Sequence, residues 1–126
     1  MLPDPSQLWS FLPAGYLLAV LIETPILLVG LSRGHSAGDR LLAGLWLTAC
    51  TYPIVVLVLP YAVWRPYGRA VYYVAAETFA PVAECGLFWL AYRSERSSPD
   101  RGTLRDFAAI VLANLASFLI GEAIPW

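Results

Sequence analysis

The amino-acid sequence predicts an all-α polytopic membrane protein, four transmembrane helices in a compact bundle. Three observations carry this reading. Of 126 residues, 59% are hydrophobic and 13% are charged, about half the charged fraction usual in a soluble domain. Four apolar stretches, at about residues 11–31, 41–63, 70–92 and 105–125, reach the roughly 20 residues that a bilayer-crossing helix needs. The segments between them are short and polar. The composition argues against a soluble enzyme, a disordered tail and a nucleic-acid binder, and residues 1–126 read as one integral membrane domain in contact with the lipid bilayer.

Each stretch is expected to be a helix, because backbone groups in hydrocarbon must be satisfied within the segment. The Val and Ile content does not argue for strands, since no apolar–polar alternation accompanies it. The first stretch reads as an uncleaved span: MLPDPSQ before it carries no positive charge, and no small-residue cleavage pattern follows. Helices two and four carry a start signal, Ser36 with Asp39 and Thr103 with Asp106, the spacing of an N-cap followed by an acid three residues on. Prolines 25, 53, 60 and 81 fall inside the stretches, where each removes a backbone donor and is expected to interrupt the helix.

The basic residues set a direction. All eight are Arg, with no Lys, a bias typical of a high-GC bacterial source. Loops one and three hold Arg33, Arg40, Arg93, Arg96, Arg101 and Arg105, whereas the termini and loop two hold Arg65 and Arg69. The positive-inside rule then places both termini outside and the multi-pass chain in an inner (cytoplasmic) membrane. Trp9, Trp64, Tyr67, Tyr72, Tyr73 and Trp126 gather at the outer interface, where amphipathic rings prefer to sit.

The first and third stretches echo each other, Glu23-Thr24 before Pro25 and Glu77-Thr78 before Pro81. The second and fourth share the capping signal and a proline near the outer end, Pro60 and Pro125. The pattern is that of a duplicated helical hairpin with parallel repeats.

The chemistry lies in four acids inside the apolar stretches. A lone carboxylate at bilayer depth costs about 2.5–3.5 kcal/mol on insertion scales, so each must be paired, protonated, hydrated or bound to a cation. Glu77 and Glu122 fall in the outer third, within reach of Arg65 and Arg69, and are expected as structural ion pairs. Glu23 and Glu84 fall near the midplane with no cation inside any span. They are the candidates for handling protons or a cation, with Thr24, Thr48, Thr51, Asn114 and Ser117 as polar helix–helix partners. Ala43, Gly44, Ala109, Ala113 and other small residues recur at spacings of three or four, which permits close helix approach.

No catalytic constellation is present. There is no Ser/His/Asp set, no phosphate-cradling glycine loop and no zinc-protease motif. Cys50 and Cys85 lack metal or redox spacing and read as buried thiols; His35, in loop one, is a poor haem or copper ligand. No metal is expected, and the sequence names no cofactor. Two functions follow. The first is a small accessory or scaffold subunit of a larger membrane complex, its glutamates serving helix–helix contacts or a neighbour's proton chemistry. The second is a homo-oligomeric proton- or cation-coupled transporter or channel that uses Glu23 and Glu84.

Overall fold

In a computed structural model, residues 5–31, 35–92 and 101–123 are described. Arg33, Arg93, Arg96, Pro125 and Trp126, used above for orientation and for the repeat, lie outside them. The described residues are all-α, with no strand. α1 is Pro5–Gly30, α2 is the continuous run Ala37–Tyr67, α3 is Arg69–Tyr92 and α4 is Arg101–Ala123. All four are long and apolar enough to cross a membrane, which marks a membrane protein.

The expected start of α2 is present: Ser36, in extended conformation, accepts the Asp39 backbone N–H on its hydroxyl at 3.1 Å. The expected start of α4 is not. The helix begins at Arg101, so Thr103 lies inside its first turn. Asp106 meets His35, which faces it from the α1–α2 loop.

The prolines do not break the helices. α1 runs through Pro25 and α3 through Pro81. α2 widens after Pro53 into two π-helical turns, Ile54–Val58 and Pro60–Trp64, closed by Leu59 N–H on Ile54 O and Arg65 N–H on Pro60 O. Widening restores donors along a ladder from which prolines remove them. In this i−5 pattern Pro60 has no N–H to offer Val55, and the Tyr72 hydroxyl donates to that carbonyl instead, at 2.9 Å. The run ends at Gly68, whose φ of +95° reverses the chain at a value costly for any residue with a Cβ.

The helices form a ring in chain order, α4 closing against α1. α1 packs closely on α2 and on α4 and α3 packs closely on α2, while the seam between α3 and α4 is the sparsest. The α1–α2 approach depends on Gly44, because a Cβ there would collide with the Thr24 side chain. Outward faces are apolar throughout, with Val29, Val74, Leu104, Val82 and Leu21 all more than 60% exposed. In water such a surface would be an aggregation liability; in lipid it is the solvated face.

The packed core occupies only half of the bundle. Leu27, Leu31, Ala43, Leu47, Phe88, Ala109, Ile110 and Ala113 form one buried cluster. They come from the late part of α1, the early part of α2, the end of α3 and the early part of α4. All lie toward the end where the α1–α2 and α3–α4 connections are made, called here the loop end. The other end, carrying the α2–α3 turn and the outer parts of α1 and α4, is the terminal end.

Candidate functional site: a carboxylate-lined cavity

Where the core stops, a cavity begins. Its volume is about 200 Å³, and all four helices line it. That is room for about six waters at the roughly 30 Å³ each takes in the liquid. Its walls include Glu23, Glu77, Glu84 and Glu122, so the four intramembrane glutamates reach the same space. Thr48, Thr51, Tyr52, Tyr72, Asn114 and Ser117 supply the remaining polar lining, and among the described residues no Arg or His side chain lines it.

The floor is built by Glu84 and Glu23, 2% and 4% exposed. Glu84, on α3, is held on both oxygens. Thr51 of α2 donates its hydroxyl at 2.8 Å and Asn114 of α4 donates its amide at 3.2 Å. Asn114 is itself anchored on Ile110 O at 2.9 Å, and Thr51 also reaches Leu47 O at 3.2 Å. This carboxylate therefore ties three helices together. Glu23, on α1, has a lighter frame: the Ser117 hydroxyl of α4 stands near it, and Glu84 and Glu77 are its neighbouring carboxyl groups. Donors that converge on a carboxylate favour its charged form, while burial and like charges disfavour it. The two floor carboxylates are both buried but unequally held, Glu84 by donors from two helices and Glu23 more lightly.

Glu77 is half-buried higher on α3, one face toward the cavity and one toward a groove between α3 and α4. At the rim, Glu122 is exposed and meets Arg69 at 3.5 Å. Tyr73 bridges them, donating to Glu122 at 3.2 Å and accepting from Arg69 Nε at 2.8 Å. The guanidinium also lies over the Tyr73 and Trp64 rings, at 5.1 and 6.0 Å from their centroids, in cation–π range.

Of the pairings read from sequence, then, Arg69–Glu122 is formed, while Glu77 faces the cavity and Arg65 is exposed with no ion pair among the described residues. Thr51 and Asn114 hold Glu84, Ser117 stands near Glu23 and Thr48 lines the cavity. Thr24 is elsewhere: its hydroxyl is buried at the Gly44 crossing with no hydrogen-bond partner. Cys50 is exposed and Cys85 half-buried, both as free thiols.

The loop end holds what the sequence reading passed over. His35 and Asp106 are 4% and 2% exposed and meet at 2.9 Å, with the imidazole edge against Phe88 at 5.0 Å. Arg40 donates to His35 O and Leu28 O, and Arg105 to Gly30 O and Val29 O. Two arginines read as topology signals thus also satisfy the carbonyls at the C-terminal end of α1, which a helix leaves unpaired. The signal for Asp106 was present in the sequence, an acid one turn inside an apolar helix, but its local spacing imitated a cap.

Among the described residues, no three His, Cys, Asp or Glu side chains are grouped so as to hold a metal ion. The four glutamates share a space without converging on a point, an arrangement suited to protons and water rather than to chelation. Together the fold and cavity define a class, a four-helix membrane bundle with a polar pit at one end. Comparisons with protein-family models, with curated proteins and with solved structures return no match for the chain.

Proposed function

We propose that this protein carries protons, alone or exchanged against a small cation, across an inner bacterial membrane, with Glu23 as the carrier and Glu84 as its fixed partner. The single observation behind this reading is that all four intramembrane glutamates line one cavity. A scaffold subunit needs its buried acids at seams toward neighbouring chains; a carrier needs them around a hydrated space. The contrast between a Glu84 held from two helices and a lightly held Glu23 supports the division of labour. Glu77 then lies between the floor and the rim as a relay position. On the arginine count, six at the loop end against two at the terminal end, the cavity opens outward.

The test is reconstitution in liposomes with an imposed pH gradient. The wild-type protein is expected to dissipate the gradient, and Glu23→Gln to slow it about tenfold or more, a barrier change of about 1.4 kcal/mol or above. Wild-type rates in both Glu23→Gln and Glu84→Gln would overturn the reading. Native mass spectrometry from the source membrane separates the alternative: other polypeptides held in fixed ratio favour the subunit, a homo-oligomer favours the carrier.

A further inference from the structure

A carrier needs a closure that opens, and among the described residues the loop end of this bundle contains a buried ion-pair joint. Following α4 from the cavity floor, Asn114, Ile110 and Asp106 succeed one another at four-residue steps, eight residues or about 12 Å in all. The first layer is apolar: Ile110 and Leu47 are 0% exposed and Phe88 3%. The second is the His35–Asp106 pair, side chains 1% and 3% exposed. His35 comes from the α1–α2 connection, Asp106 from α4, and Phe88 of α3 rests on the imidazole. Arg40 of α2 grips the backbone at His35 and Leu28. Every helix contributes to this one joint.

A closure needing only stability would be built more cheaply from apolar side chains. Replacing a buried ion pair by packed hydrophobic residues is often neutral or stabilising, while removing one partner strands the other. A buried polar pair therefore suits a contact that forms and breaks. We propose that His35–Asp106 is the latch of the loop end, and that its separation, with withdrawal of Phe88, opens the cavity to the opposite side of the membrane. The inference rests on the transport reading, and it assigns to the loop end the gating step that reading requires.

The experiment reads geometry rather than transport. Ala80→Cys, on the cavity wall, is placed in a chain carrying Cys50→Ala and Cys85→Ala, and the protein is reconstituted with known orientation. A membrane-impermeant thiol reagent is applied from one side at a time. With the latch intact, labelling is expected from the terminal side. Asp106→Asn, or His35→Gln from the other partner, is expected to add labelling from the loop side, about tenfold faster than in the parent, as when a state held near 1% rises to 10%. The double change His35→Leu with Asp106→Leu is expected to seal that side again. Loop-side labelling unchanged by either single substitution would overturn the latch, as would loop-side labelling of the double variant at the single-variant rate. If the singles open the loop side while Glu23→Gln and Glu84→Gln both leave proton flux at the wild-type rate, the latch stands and the transport reading falls.

Discussion

Along each helix the lining changes character within about a turn: Glu23 to Leu27 on α1, Thr48 to Leu47 on α2, Glu84 to Phe88 on α3, Asn114 to Ala113 on α4. On the loop side of that boundary the helices are close-packed around Leu, Ala and Phe; on the terminal side the same helices stand apart around carboxylates and hydroxyls. The difference teaches where polarity is tolerated in a membrane chain. Between lipid-facing helices the hydrophobic effect gives no drive to associate, so adhesion comes from close packing of small residues and from interhelical hydrogen bonds. Ala43, Ala109 and Ala113 supply the first at the loop end. Thr51 and Asn114 supply the second at the cavity floor.

If the halves differ in this way, equal substitutions should have unequal costs. The largest effect is expected at the latch, where Asp106→Ala leaves His35 buried without its carboxylate and should cost about 3–5 kcal/mol of stability, read by unfolding in mixed micelles. Next is the apolar layer. Leu47→Ala should cost about 2–5 kcal/mol because rigid neighbours cannot fill the void, whereas Leu18→Ala, on the wall of an existing cavity, should cost less than half as much. Equal costs for the two leucines would erase the distinction between the halves. Gly44→Ala is expected to cost about 1–3 kcal/mol by overpacking against Thr24; Gly86→Ala, with open space around its Cβ, should be neutral within about 0.5 kcal/mol. Smallest is Thr51→Val, which removes one donor from Glu84 and should cost about 0.6 kcal/mol, the average for a hydrogen bond between membrane helices.

Much of this was legible in the residues. Length and apolarity marked the four spans, because a bilayer imposes both on any helix crossing it. The depth of Glu23 and Glu84, and the absence of a cation inside the spans, marked them as the acids needing an explanation. Helix ends and prolines were read less well. Pro53 ends the α-helical part of α2 and Pro60 opens its second π-helical turn, where Tyr72 supplies the donor that Pro60 lacks, from a helix that sequence spacing does not place beside them. Asp106 has the spacing of a capping acid, and only the tertiary approach of His35 reassigns it. Glu77 lies at the depth where Arg65 and Arg69 could reach inward to it, yet Arg69 is engaged by Tyr73 and Glu122. Apolar surfaces all round left no periodicity to say which faces meet. The convergence of four acids on one cavity is for that reason a property of packing.

The most direct test compares floor with rim in one assay, proton flux through oriented liposomes for Glu23→Gln beside Glu122→Gln. The account predicts that the floor substitution slows flux about tenfold or more, while the rim substitution, at an exposed carboxylate already paired with Arg69, stays within about twofold of wild type. Equal rates for the two variants would contradict it, since the carrier would then not be the buried carboxylate that the cavity was built around.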